Sequence, residues 1–196
     1  MTSLTRSTLT FIAIALLHNS AWAEDPAPTV EQVRKLLSRD HPKHDGYPQL
    51  LKFGARALPA YEAILADSKS QPLELAAVLG LVSGVKADLN RFSDLAVALF
   101  THERPLVRRE ALKLLGDIGC ERDTSPILAM LSDEDNGVRH TAAKILSKIG
   151  GKRDLAAMDI WLKTGNYRDD PFHLRHVRDC RDALEKRLKE NPVDKK

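Results

Sequence analysis

Two segments of the chain carry apolar residues in the rhythm of an amphipathic α-helix. In residues 107–119 and 138–150, apolar side chains recur at positions i, i+4, i+7, i+8 and i+11. These positions share one side of an α-helix, because each residue advances about 100° around the helix axis. A glycine, which commonly terminates helices, ends each segment at Gly119 and Gly150. The pattern therefore predicts two helices of similar length, each with one buried stripe.

The two segments are copies of one another at a spacing of 31 residues. Identical residues stand at Val107/Val138, Arg108/Arg139, Ala111/Ala142, Lys113/Lys144, Leu115/Leu146, Ile118/Ile149 and Gly119/Gly150. The spacing continues beyond the segments, since Asp123 matches Asp154 and Ile127 matches Met158. Each unit is therefore predicted to be a shorter first helix, a polar turn and a longer second helix.

Weaker copies extend the repeat in both directions. We predict four helix pairs, at residues 55–83, 91–119, 122–150 and 153–190. Residues 24–54 are expected to form an N-terminal segment with one helix, from Thr29 to Ser38. Residues 55–190 then make up the repeat domain, and residues 191–196 form a disordered tail. The predicted fold class is all-α.

The repeated block of residues 106–119 and 125–150 (LVRREALKLLGDIG and SPILAMLSDEDNGVRHTAAKILSKIG) resembles the HEAT repeat. It is most similar to the subgroup of phycobilisome lyase-like HEAT proteins. The resemblance is strong over residues 92–162 and weaker on either side. It implies a right-handed α-solenoid in which stacked helix pairs share a continuous core and expose an extended surface. It also implies that the second helix of each pair lines the concave face.

The first 23 residues have the organisation of a secretory signal peptide. Arg6 precedes an apolar run from Leu9 to Leu17, and Ala21 and Ala23 occupy the small-residue positions of a cleavage site. We expect cleavage after Ala23 and a periplasmic or secreted product. The alternative is an uncleaved anchor, but the run is short for a membrane-spanning helix. No second apolar stretch could span a membrane, so the mature form is expected to lack a membrane span.

Charge gives one candidate binding surface. The formal net charge of the whole chain is only +3, which does not favour nucleic acid as a partner. Within the two best repeats, however, Arg109 and His140 stand one repeat apart, as do Lys113 and Lys144. These four residues predict a basic ladder on the concave face, suited to a protein partner with an acidic surface. The alternative is an ordinary solvated helix face.

Arg108 and Arg139 follow the first valine of each copy and are interpreted as structural. The resemblance implies that this arginine pairs with an acidic residue in the turn, where Asp133 or Asp135 could serve Arg139. Arg104 stands where Asp135 stands in the other copy, so an acidic partner for Arg108 is not evident from its own turn.

His173, His176 and Cys180 lie within about 60° of one another on a helical wheel. Histidine and cysteine are good zinc or copper ligands, so the three form a candidate metal site. His173 and Cys180 also fall in the apolar stripe of that helix, and packing is the interpretation we favour. A second cluster, His41, His44 and Asp45, lies in a segment predicted to be a loop.

The two cysteines, Cys120 and Cys180, fall two repeat layers apart. Two layers correspond to roughly 20 Å at helix-packing distances, whereas a disulfide needs Cα atoms within about 7 Å. We therefore expect no intrachain disulfide bond.

No catalytic or cofactor motif of the common enzyme classes is present in the sequence. We therefore expect a non-enzymatic, monomeric binding or scaffold protein without a cofactor. One alternative, implied by the resemblance, is a ligand- or metal-handling protein with lyase- or isomerase-like activity. Another is a structural module inside a larger envelope or secretion assembly.

Overall fold

A computed structural model describes residues 26–38, 46–119, 123–164 and 170–190. Within these ranges the regular elements are helices, and no strand occurs. The α-helices are α1 (Val30–Leu37), α2 (Gly46–Phe53), α3 (Leu58–Ala66), α4 (Pro72–Ser83), α5 (Ser93–Ala98), α6 (Pro105–Ile118), α7 (Ser125–Ala129), α8 (Asn136–Ile149), α9 (Lys152–Thr164) and α10 (Pro171–Glu190). Short 3₁₀ helices cover Gly54–Ala57, Asn90–Phe92, Leu99–Thr101 and Met130–Ser132. The signal peptide predicted over residues 1–23 and the tail predicted over 191–196 lie outside the described residues.

The helices after α2 form four antiparallel pairs that stack in one row. The pairs are α3/α4, α5/α6, α7/α8 and α9/α10, each within three residues of a predicted pair. The second helices pack in sequence order, α4 on α6, α6 on α8 and α8 on α10. The fold is therefore the predicted all-α solenoid. No helix among the described residues is long and apolar enough to cross a membrane.

The N-terminal segment differs from its prediction. It contains two helices where one was expected, because α2 follows the predicted helix α1. Helix α1 packs on α3, and α2 packs on α4, so the two extend the stack. The second helix was missed because Gly46 and Pro48 resemble turn residues, although proline is tolerated in the first turn of a helix. Helix α1 begins as predicted, with Thr29 and Gln32 forming a reciprocal capping box.

A single hydrophobic core runs through the stack. Helix α6 buries the apolar stripe predicted for it, and Val107, Ala111 and Leu114 are completely inaccessible to solvent. The matching residues of α8 are buried in the same way. Phe92 and Leu131, from the 3₁₀ helices next to α5 and α7, are buried in the same core. Each pair therefore depends on its neighbours to cover its apolar surface.

The end of α6 requires glycine. Gly119 has φ of 71° and ψ of 78°, in the left-handed region that disfavours other residues. We expect Gly119→Ala to lower the free energy of unfolding by about 1 kcal/mol. Gly151→Ala is the matched control, because the nearest atom to its added Cβ is 3.9 Å away. In urea denaturation, the free energy of unfolding should fall only in Gly119→Ala. Equal losses in the two variants would contradict this role of Gly119.

Candidate functional site: the face of the second helices

The exposed side of α4, α6, α8 and α10 forms one surface, here termed the second-helix face. Its most exposed basic residues on the central helices are Lys113 of α6 and Lys144 and Lys148 of α8. They lie opposite the buried stripes, because roughly half a helical turn separates them from the core positions. Two of the four residues predicted for the basic ladder, Lys113 and Lys144, therefore lie on this face.

The positive charge of the ladder is partly neutralised on α6. The Lys113 Nζ lies 2.8 Å from Oε1 of Glu110, and the Arg109 Nε lies 3.7 Å from the same oxygen. The Arg109 side chain also points toward α8. Its Nη1 lies 3.4 Å from the point that a Cβ atom on Gly137 would occupy. The basic surface is therefore smaller than predicted and is centred on Lys144 and Lys148.

His140 does not extend the ladder. Its ring turns into the interface between α8 and α10, stacked on His173 with ring centroids 5.0 Å apart. The ring centroid of His176 is 4.4 Å away. Burial, followed by the nearby His176, lowers the pKa of His140 below its usual value. This shift favours the neutral ring, so His140 contributes little positive charge to the face.

Arg108 connects two successive pairs. Its guanidinium donates two hydrogen bonds to the carboxylate of Asp133, Nε to Oδ2 at 2.8 Å and Nη2 to Oδ1 at 2.7 Å. Its Nη1 donates to the backbone carbonyls of His102 and Glu103 in its own turn. Both charged side chains are buried, and the hydrogen bonds to Asp133 raise the pKa of Arg108. The acidic partner missing from the turn of Arg108 is thus supplied by the next pair.

Arg139 repeats this arrangement one pair later. Its Nη1 donates to the backbone carbonyls of Asp133 and Glu134, at 2.8 and 3.0 Å. Its Nη2 lies 3.7 Å from Oδ2 of Asp170, in the turn that precedes α10. The carboxylate of Asp135 instead caps α8 by accepting a hydrogen bond from the amide of Val138. Each arginine therefore binds carbonyls in its own turn and a carboxylate in the next one.

His173, His176 and Cys180 lie together on α10, and two of them, His173 and Cys180, are buried. His173 is completely buried and Cys180 is a buried free thiol. The Nε2 of His176 donates to the backbone carbonyl of His140 at 3.3 Å. Burial raises the pKa of the Cys180 thiol, whereas a metal ligand must be a thiolate. Among the described residues, no group of three His, Cys, Asp or Glu side chains is arranged to hold a metal ion.

The second candidate cluster, His41, His44 and Asp45, lies outside the described residues, as does Cys120.

The repeated region is similar to a known protein family. Residues 92–170 match the family model for HEAT repeats. The match runs from the start of the second helix pair to the turn before α10, and it supports a HEAT-repeat protein. Together with the stacked helix pairs, it identifies the fold as an all-α HEAT-like solenoid. A comparison with curated proteins finds no match.

The HEAT-like stack creates two features that sequence reasoning missed. One is the meeting of His140 with the histidines of α10, which lie 33 and 36 residues further along the chain. The other is Phe172, whose side chain is 74% exposed although phenylalanine is usually buried. The repeat spacing does indicate that α8 and α10 are neighbours. It does not fix which sides of the two helices meet, since α10 is not a close copy of α8.

Proposed function

We propose that this chain is an exported HEAT-repeat protein that binds a protein partner through its second-helix face. The supporting observation is the unbroken row of α4, α6, α8 and α10, which places the outward sides of four helices next to one another. Such rows provide extended binding surfaces in repeat proteins. Export rests on the signal-peptide pattern of residues 1–23.

The chemistry of the face favours a partner with an acidic surface. Lys144 and Lys148 are exposed on consecutive turns of α8, and Lys113 is exposed on α6. Glu110 and Asp117 restrict the positive region to a small patch, so charge selects and orients the partner more than it sets the affinity. Exposed Phe172 at the start of α10 offers an apolar contact beside this patch. An aromatic anchor next to charged residues is a common arrangement in protein interfaces.

The proposal is tested by site-specific photo-crosslinking in the exported fraction. A photoreactive residue at position 144 should crosslink one defined protein. The same residue at position 163, exposed on first helix α9, is the control. Intact mass measurement of the same material should show a chain that begins at Glu24. Equal crosslinking from both positions would reject the second-helix face, and a retained N-terminus would reject cleavage at Ala23.

Charge reversal gives a quantitative prediction for the captured partner. We expect Lys113→Glu combined with Lys144→Glu to weaken binding about tenfold or more, mainly by slowing association. The matched control, Arg153→Glu with Lys163→Glu on α9, changes the net charge equally on the other side of the pair. Surface plasmon resonance at two salt concentrations measures how strongly and how fast each double variant binds the partner. Equal loss of affinity in the two variants would show that overall charge, and not this face, governs binding.

The alternative of a lyase- or isomerase-like protein rests on the family resemblance alone, and no contact in the described residues favours it.

A further inference from the structure

The interface between the last two second helices contains an unusual concentration of imidazole rings. His140 of α8 lies against His173 and His176 of α10, and these three residues are here termed the imidazole cluster. Trp161 of α9 meets the ring of His173 edge-on at 5.3 Å. His173 has no solvent-accessible surface. The contact that holds α10 on the stack is thus built partly from titratable side chains.

We propose that the imidazole cluster makes the docking of α10 pH-sensitive, so that mild acidification detaches α10 from α8 while the preceding helix pairs stay folded. This inference concerns α10 itself and holds whether or not the second-helix face binds a partner.

Packing in the cluster favours neutral rings at His140 and His173. Two imidazolium ions stacked at a centroid distance of 5.0 Å would repel one another, and the fully buried ring of His173 could not be hydrated. The Nε2 of His140 is buried and has no hydrogen-bond partner in the described part of the chain. A proton added there would create a buried donor without an acceptor, which is costly.

Some charged groups around the cluster favour protonation of the histidines, and others oppose it. Arg139 opposes protonation of His140 and His173, whereas Asp170 favours it, and Asp135 favours it at His140. Burial is the largest influence on both histidines and outweighs the carboxylates. It lowers the pKa of His173 to about 4 and also lowers that of His140. At Cys180, the charge of Asp179 raises the pKa of the thiol, whereas the charge of Lys144 lowers it.

The direction of the pH effect follows from these shifts. A histidine whose pKa is lower in the docked state than in the detached state stabilises docking only while it stays neutral. Docking is therefore strongest above about pH 6.5, the usual pKa of histidine, and weakens as the pH falls from 6.5 toward 4. Each such histidine increases the detached fraction by up to about tenfold per pH unit.

The contacts that Arg181 and Arg187 of α10 make with α9 and α8 are insensitive to pH in this range. Arg181 of α10 donates to the carboxylate of Asp159 of α9 at 2.7 Å. This hydrogen bond lowers the pKa of Asp159, so the carboxylate stays charged under mild acidification. Arg187 donates to the backbone carbonyls of Ser147 and Gly150 at the end of α8. Neither carbonyl titrates. The interval between pH 6.5 and 5 therefore isolates the histidines.

Hydrogen–deuterium exchange of the full chain at pH 7.5, 6.5, 5.5 and 4.5 tests the proposal. After correction for intrinsic exchange, the opening of residues 171–190 should rise about fivefold or more between pH 6.5 and 5.5. Residues 105–118 should change less than threefold. The double variant His140→Gln with His173→Leu should remove this pH dependence, and His102→Gln, in the turn before α6, should leave it intact. Uniform loss of protection along the chain, or an unchanged pH dependence in the double variant, would overturn the proposal.

A second measurement does not depend on the variants folding. In an NMR titration of the wild-type chain, the imidazole signals of His140 and His173 should stay in the neutral form until protection of α10 is lost. If either ring titrates near pH 6.5 while α10 remains protected, the docking of α10 is not controlled by the cluster.

Discussion

Replacement of Arg108 by methionine is expected to lower the free energy of unfolding by about 3–5 kcal/mol, because it removes the guanidinium that pairs with the buried carboxylate of Asp133. The variant also removes the donors for the carbonyls of His102 and Glu103. Methionine keeps much of the side-chain volume, so the loss reports mainly on charge and hydrogen bonding. Urea denaturation followed by circular dichroism measures the change.

Two further variants separate the ion pair from other effects. Arg104→Met, in the same turn, removes an exposed arginine whose nearest carboxylate is 3.5 Å away, and should change stability by less than about 0.5 kcal/mol. The double variant Arg108→Met with Asp133→Leu should recover part of the loss, because it also removes the buried carboxylate that had paired with Arg108. A loss below about 1 kcal/mol in Arg108→Met would show that the contact contributes little to joining the two pairs.

Replacement of Phe92 by alanine should cost about 3–5 kcal/mol, since the ring is completely buried and neighbouring helices cannot close the cavity fully. Phe92 precedes α5 and belongs to the single core shared by the stacked pairs. Removal of the Phe92 ring should therefore lower the denaturation midpoint of the whole solenoid.

Phe172→Ala is the matched control for Phe92→Ala. The same atoms are removed, but the Phe172 side chain is 74% exposed, and the change should stay within about 0.5 kcal/mol. Phe92→Leu should retain most of the stability, because it keeps much of the buried volume. Similar losses for the two alanine variants would contradict the assignment of Phe92 to the core.

Prediction from sequence succeeded where one repeat copies another. Helices α6 and α8 begin and end close to their predicted bounds, since their apolar spacing, turns and terminal glycines are local signals. It failed at α2, where Gly46 and Pro48 resemble a loop and no copy of the repeat guides the assignment. The match of residues 92–170 to HEAT repeats covers the same region in which the internal repeat is clearest.

The candidate site was less predictable because its members lie on different repeats. The spacing placed Lys113 and Lys144 on one face, and both are exposed there. It also placed Arg109 and His140 with them, yet both turn toward the next helix in the stack. A residue at the edge of a helix face can be exposed or covered, and the position of the neighbouring helix decides between the two.

The sequence by itself determined the helical pairs, their spacing of 31 residues and the stripes that become the core, because these follow from short-range periodicity and turn residues. Only the tertiary structure decided that Arg108 binds the carboxylate of the next turn and that His140 joins the histidines of α10. These contacts depend on the rotation of each helix against its neighbour, which is set by the packing of side chains along the whole interface.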